Sequence, residues 1–473
     1  MTYSSAHGLL VMKFGGTSMG SAERIRVAAR ISSEQRAQRP TISVVSAMSK
    51  VTDLLIDSLR KAEAGDQADL DANMKRLWER HLETVRELVP APKQDAVLAG
   101  VHGLLSDFSR IAKGILMLGE RPPRSVDEAV AIGERLSALL LAAHLESENV
   151  PAQAVSGEEL IVTDAIFGNA SPLLDLTRAK TSARLLPLLA EGILPIVTGF
   201  NGATVDGRPT TLGRGGSDFS ASILAAVLDA SELWIWTDVD GIMSADPRLV
   251  SNARVLEHVT YAEAAELAYN GAKVLHPRTL APLAERKIPV WSKNSFDIAK
   301  PGTHIVPEIS TRTGPCAVTS MTNVALISIE PASAVLTGTR AMARSRGALA
   351  RANVEVLAIT SSSYRQSFCF LVREDELQRA TDFLEEGLSL ELTHGYVKPI
   401  EIDREVSLLA IVGEGMRGTP GLAGRIFTAI SRKDINIIAI AQGSSELTIA
   451  VVVRRGGLEH AVRAIHEECG LGK

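Results

Sequence analysis

The stretch Leu9-Leu-Val-Met-Lys-Phe-Gly-Gly-Thr-Ser18 decides the fold. Six residues that are apolar but for Lys13 are followed by two glycines and a Thr-Ser pair. A short run apolar on both faces suits a strand covered by helices on either side. The glycines permit a tight strand-to-helix turn and close approach of backbone N–H groups to an anion. The same rhythm recurs along the chain. Thr41–Ala47, Pro195–Phe200, Leu233–Asp238 and Pro289–Ser292 read as further buried strands. Helical periodicities run over Ser125–Glu146 and Asp218–Asp229, the latter opened by a capping serine or aspartate. Residues 61–120 are helical, charged and free of strand patterns. Strand–helix alternation predicts an α/β sandwich with a mainly parallel sheet over residues 1–308.

Past Lys300 the pattern changes, with Pro301, Gly302, Pro307, Gly314 and Pro315 marking a boundary. Beyond it lies an internal repeat. Ala350-Arg-Ala-Asn-Val-Glu-Val-Leu-Ala-Ile359 aligns with Ser431-Arg-Lys-Asp-Ile-Asn-Ile-Ile-Ala-Ile440, and Ser367–Val372 aligns with Thr448–Val453, at a constant offset of 81. Each copy reads strand, helix, strand, strand, helix. The expected organisation is a large domain at 1–308 and two small α+β repeats at 322–400 and 401–473, of pattern βαββαβ. A unit of about 70 residues buries too little surface to be stable alone, so the copies are expected to pack on each other or on another subunit.

Composition narrows the class. The chain has 473 residues, 45% hydrophobic and 22% charged, with a formal net charge of −5. That balance argues against nucleic acid or an anionic membrane surface as the main ligand. No apolar run approaches the roughly 18–20 residues of a membrane span, and no signal-like N-terminus is visible. Three scattered cysteines, Cys316, Cys369 and Cys469, form neither a disulfide framework nor a CxxC motif. The expectation is a cytoplasmic, multidomain enzyme.

Four clusters carry chemistry. Lys13-Phe-Gly-Gly-Thr-Ser18 could place a cation and backbone N–H groups on a phosphate; an ordinary turn with one lysine is the plainer alternative. Gly16-Thr-Ser-Met-Gly20 also fits G-x-S-x-G, which opens a hydrolase reading with Ser18 as nucleophile. Thr211-Leu-Gly-Arg-Gly-Gly-Ser-Asp218 leads into an apolar helix and forms an anion site, with Arg214 suited to a carboxylate and Asp218 either a cap or a metal neighbour. Thr237-Asp-Val-Asp-Gly241 with Ala245-Asp-Pro-Arg248 follows a strand, where ligands of open α/β sheets bind. Gly271-Ala-Lys-Val-Leu-His-Pro277 adds Lys273, which could equally complement a helix dipole. His276 reads as a packing or capping residue, and Glu134 alone as a solvated helix residue. No set of His, Cys and carboxylate residues stands at metal-ligand spacing.

Taken together these segments resemble the aspartate kinases of the amino-acid kinase family. The matching motifs are KFGGTS at 13–18, SAM with VTDLL at 46–55, GERLS at 133–137, GFNG with TTLGRGGSDFSA at 199–221, TDVDGIMSADPR at 237–248 and GAKVLHP at 271–277. The repeats resemble the paired ACT domains of the same enzymes. The resemblance implies ATP-dependent phosphorylation of the β-carboxylate of L-aspartate, with Mg²⁺, at the head of lysine, threonine and methionine biosynthesis. It implies Lys13, Asp218 and Lys273 as catalytic residues, and Thr52, Glu134, Arg214 and Ser217 as aspartate-binding residues, Glu134 on the α-ammonium. It implies Lys13, Gly15, Gly16, Thr237, Asp238, Arg248 and Lys273 at the nucleotide. Gln442 and Ser361 would mark an amino-acid effector position, lysine or threonine, in a homo-oligomer formed through the repeats. Two departures from the family pattern are Met243, where an aromatic residue is common near the nucleotide, and Ser361, which aligns with Gln442 of the second repeat. A single activity is expected. A non-catalytic amino-acid sensor and a kinase for another acidic amino acid are the competing readings.

Overall fold

The computed structural model describes residues 8–272, 275–309, 313–332, 338–363 and 366–473. The chain divides into two units, Met1–Ile242 with Val274–Glu308, and Met243–Lys273 with Ile309–Lys473.

In the first unit the strands of the main sheet run in the order Ala152–Val155, Leu194–Thr198, Thr41–Val45, Leu10–Phe14, Glu232–Thr237, Val290–Asn294, Thr303–Val306. All neighbours pair in parallel except the last two, which are antiparallel. The central strand Leu10–Phe14 is buried along its whole length, as expected when helices cover both faces. Helices Ala22–Arg36 and Ile132–Ser147 lie on one face, and Gly216–Val227 packs on the other with Leu174–Ala190 and Pro277–Arg286 as neighbours. This is the three-layer sandwich read from the alternation of strands and helices. The strand-free stretch folds as helices Val51–Glu63, Gln67–Leu88 and Ala91–Leu118, whose apolar faces join the core beside the sheet.

The helix expected over Ser125–Glu146 is two helices, Pro123–Val130 and Ile132–Ser147, meeting at Ala131. The Ala131 carbonyl accepts from Asn201 Nδ2 at 3.3 Å, while its helical acceptance from the Arg135 N–H is also 3.3 Å. Sharing one carbonyl between two donors weakens the helical bond and marks the break.

In the second unit each repeat supplies strand, helix, strand, strand, helix. One antiparallel sheet runs Val356–Ser361, Phe368–Arg373, Val324–Ile329, Glu401–Asp403; the other runs Ala317–Met321, Val406–Val412, Thr448–Arg454, Ile437–Gln442. The fourth strand of each sheet comes from outside the repeated motif. Glu401–Asp403 follows the first motif and pairs with Val324–Ile329, whereas Ala317–Met321 precedes it and pairs with Val406–Val412. The repeats are therefore interleaved, and sheet membership crosses the 322 and 401 positions chosen from the sequence. A motif of three strands leaves an edge open, and whichever flanking segment is near covers it; the repeat alignment does not carry that information. Leu326 and Leu371 of the first sheet share a core cluster with Leu408 and Val452 of the second.

Candidate active site

The loops of interest leave the carboxyl ends of the parallel strands, where open α/β sheets bind ligands. Lys13 is the fourth residue of its five-residue strand and is only 8% exposed. Its Nζ stands 2.6 Å from Asp218 Oδ1. Asp218 lies in the first turn of helix Gly216–Val227, so a carboxylate, a lysine and the positive end of a helix dipole meet at one point. The glycines that build this corner are required by space. Gly215 is left-handed at φ 72° and a Cβ there would come 2.6 Å from His276 Cβ; a Cβ on Gly216 would stand 2.6 Å from the Phe200 ring.

The Lys13–Ser18 turn is held from below. The Gly15 N–H donates to the Trp236 carbonyl at 3.0 Å. Ser18 Oγ donates to that carbonyl at 3.3 Å and is 2.8 Å from Ser295 Oγ, which in turn donates to the Thr237 carbonyl at 3.0 Å. Ser18 is 1% exposed and committed to this network. It latches the turn to the end of strand Glu232–Thr237, which overturns the nucleophile reading: an elbow serine must present its oxygen to substrate.

Glu134 is not a solvated helix residue. It sits in the first turn of helix Ile132–Ser147 and is 3% exposed. Oε1 accepts from the Ala47 N–H at 3.1 Å, and Oε2 is buried without a hydrogen-bond partner. Gly133 permits this approach, since a Cβ there would meet Ala47 Cβ at 2.9 Å. Burial pushes the Glu134 carboxyl up to about 8, against weaker opposing effects of the Ala47 N–H and the Lys13 charge. Once it gives up its proton, an unpaired buried carboxyl oxygen is an acceptor awaiting a donor.

The other expected residues divide. Thr52 is half-buried in the first turn of helix Val51–Glu63; Ser217 is half-buried at the start of Gly216–Val227; Arg214 is exposed, with no ion pair among the described residues. Gly15 and Gly16 form the turn, and Thr237 with Asp238 follows the strand end, Thr237 Oγ1 donating to Asp238 Oδ1 at 3.3 Å. Arg248 falls in the second unit, where it grips Asp246 through Nε and Nη2 at 2.6–3.1 Å. Lys273 lies outside the described residues. His276 caps helix Pro277–Arg286, accepting from the Arg278 N–H at 3.3 Å.

Several supports were not legible in the sequence. Asp127, 2% exposed, accepts from the Gly168 N–H, the Thr211 N–H and Thr211 Oγ1 at 2.8–2.9 Å, fixing the entry to the Thr211–Asp218 loop. Arg278 donates to the Leu212 carbonyl at 3.3 Å and lies over the Phe219 ring. Lys293 sits over the rings of Trp234, Trp236 and Trp291 at 5.0–5.8 Å, and burial lowers its pKa. None belongs to a local motif; apart from the Lys293–Trp291 contact, each acts across long sequence separations. Asp127→Ala is expected to lower unfolding free energy by about 3 kcal/mol, since it strands two buried donors of Thr211. Chemical denaturation checks this, and a loss below about 1 kcal/mol contradicts the anchoring role.

Comparison with known proteins accords with this geometry. The model of the amino acid kinase family matches residues 8–294, and that of the ACT domain matches residues 409–469. A bifunctional aspartokinase/homoserine dehydrogenase 1 of Arabidopsis thaliana is 35% identical over 472 residues, covering 98% of this chain and 51% of that protein. The chain thus spans about half the length of the bifunctional relatives it matches. Aspartokinase III of E. coli, solved in complex with aspartate and ADP, is 30% identical with a TM-score of 0.83, covering 97% of this chain and 99% of that one. The same protein solved with lysine and aspartate has a TM-score of 0.79 at 30% identity, covering 98% of this chain and 99% of that one. With its ordered motifs, its three-layer sandwich and its interleaved ACT-like repeats, the chain belongs to the amino acid kinase family, among the aspartokinases.

Proposed function

We propose that this chain transfers the γ-phosphoryl group of ATP to the β-carboxylate of L-aspartate, giving 4-phospho-L-aspartate and ADP. The observation that carries the reading is the Lys13–Asp218 pair at 2.6 Å, set at a helix N-terminus beside a glycine turn. A β-carboxylate is ionised at neutral pH, so it attacks phosphorus without a general base. The carboxylate–phosphorus bond forms as the bond to the bridging oxygen of ADP breaks. What the protein must supply is alignment and neutralisation of charge on the equatorial oxygens. Lys13 does this, oriented by Asp218; Lys273 is assigned the same task. Gly15 and Gly16 leave backbone room for phosphate, and Thr237 and Asp238 hold the nucleotide; Arg248 is assigned to the nucleotide by the resemblance alone. Glu134 takes the substrate α-ammonium on its unpartnered oxygen, Arg214 takes a carboxylate, and Thr52 and Ser217 complete the aspartate pocket.

Among the described residues no group of three or more metal-ligating side chains occurs. That fits Mg²⁺ arriving on nucleotide phosphates, which needs only one or two protein carboxylates; Asp218 is the one in place. When bound, the ion neutralises phosphate oxygens.

The repeats are read as amino-acid sensors that shift the kinase between states. Ser361 and Gln442 end the half-buried edge strands Val356–Ser361 and Ile437–Gln442 and are both exposed, which leaves them open to an effector. Assembly through these edges gives the homo-oligomer. A coupled assay of aspartate-dependent ADP release, with and without lysine or threonine, tests the whole reading. Turnover that needs aspartate and falls with one effector supports it; ATP turnover indifferent to aspartate refutes it. Arg214→Ala is expected to raise aspartate KM about 100-fold with ATP KM little changed, from loss of one bidentate charged contact. A change confined to ATP contradicts the assignment.

A further inference from the structure

The two repeats can be compared position by position on their helical faces. Helix Gly338–Arg351 corresponds to Leu422–Ser431, and Leu377–Gly387 corresponds to Leu458–Glu468. In the second repeat Arg425 Nε donates to Glu468 Oε1 at 2.9 Å, and Nη2 donates to the Glu468 carbonyl at 2.8 Å. One helix therefore supplies the anion that neutralises the guanidinium of the other. At the same offset Arg425 becomes Arg344 and Glu468 becomes Gly387. A Cβ on Gly387 would stand 2.9 Å from Ala348 Cβ, so the glycine lets the helices cross closely. It also removes the carboxylate. An open cavity of about 480 Å³ stands at this place, lined by Arg340, Arg344, Gly347, Arg351 and Gly387 with Ala343.

The lining follows helical geometry. Positions 340, 344, 347 and 351 are spaced i, i+4, i+7, i+11, which puts three arginines in one stripe around a glycine floor. The helix, GTRAMARSRGALAR, contains no acidic residue. Arg344 is paired with buried Glu391. Arg340 and Arg351 are exposed and make no ion pair among the described residues, and neither Glu385 nor Glu386 on the neighbouring helix engages them. The second repeat closes the corresponding place with its own carboxylate. The first presents two uncompensated guanidiniums and a third beside a space no side chain fills.

We propose that this stripe is a binding site for a small oligophosphate, taken by Arg340, Arg344 and Arg351 as forked donors. Guanidinium groups match phosphate oxygens in bidentate geometry. Two unneutralised cations on one face call for at least two negative charges in a compact ligand, which adjacent phosphoryl groups supply and a lone carboxylate does not. The site is separate from Ser361 and Gln442, which lie on strand ends.

Calorimetric titration of the full chain with inorganic pyrophosphate tests the proposal. Saturable binding is expected that persists in Lys13→Ala, where the catalytic cation is gone. It should weaken at least tenfold in the double variant Arg340→Ala/Arg351→Ala, both exposed positions whose loss leaves packing intact. Arg346→Ala, an exposed arginine off the stripe, should leave it unchanged. Succinate should bind at least tenfold more weakly than pyrophosphate. The site is overturned by absence of saturable binding, by its loss in Lys13→Ala, by equal weakening in Arg346→Ala, or by succinate matching pyrophosphate.

Discussion

Lys13→Ala is expected to lower kcat by about 10³ while aspartate KM moves less than tenfold. The lysine is nearly buried and its ammonium is already fixed by Asp218 at 2.6 Å, so it meets the transferring group without reorganisation. Charge spreads over the phosphoryl oxygens only as the bond breaks, so the interaction is strongest in the transition state. Removing one preorganised electrostatic donor typically costs about 10²–10³ in kcat. The variant also leaves the Asp218 carboxylate without its cation, so a lowered Tm should accompany the kinetic loss. Lys13→Arg keeps the charge but not the compact ammonium, and only partial rescue is expected. Steady-state rates with both substrates saturating decide the matter: kcat within tenfold of the parent removes Lys13 from the chemistry.

Glu134→Gln should have a comparable effect, on binding. The glutamine is nearly isosteric and resembles the protonated acid, so folding is preserved, but it cannot neutralise an ammonium. Losing one partner of a buried charge pair costs about 3–5 kcal/mol, which corresponds to an aspartate KM raised 100-fold or more. The parent enzyme should also show a characteristic pH dependence. With the empty-site carboxyl pushed up to about 8, binding of the α-ammonium must expel a proton below that pH. Apparent affinity for aspartate should therefore rise nearly tenfold per pH unit towards 8 and then level off, and Glu134→Gln should abolish that slope. Stability moves in the opposite direction. The folded carboxyl holds a proton that the unfolded one, near 4.5, releases, so the parent loses stability as pH rises from about 4.5 through about 8. The glutamine variant should lose less over that window. An aspartate KM of the parent that does not change between pH 6 and 8 would contradict the role given to Glu134.

How much was legible before the tertiary structure depends on the range of each interaction. The turn at Gly15–Gly16, the capped helix after Gly213–Asp218 and the repeated motif in the C-terminal region are local patterns. Burial periodicity and glycine spacing encode them directly. The ordered set of motifs led to Lys13, Asp218 and Glu134 by resemblance, but their states were not encoded there. Glu134 read alone as a solvated residue because its own helix shows nothing of the Ala47 backbone and the sheet that cover it. Ser18 fitted a nucleophile motif; its hydroxyl is instead consumed by Ser295, 277 residues away. Asp127 and Arg278 carry no motif, yet they anchor both ends of the Thr211–Asp218 loop.

The sequence by itself determined the alternation that makes the sandwich, the two-fold repeat, and the order of polar clusters at strand ends. These follow from period, turn chemistry and self-similarity, which are properties of neighbours in the chain. Only the tertiary structure decided which flanking strand completes each small sheet, which carboxyl is neutral and which ion-paired, and that Arg344 pairs with Glu391 where its repeat counterpart Arg425 pairs with Glu468. Those depend on desolvation and pairing by groups brought from far along the chain, and the energy of a buried charge is set by what finally surrounds it.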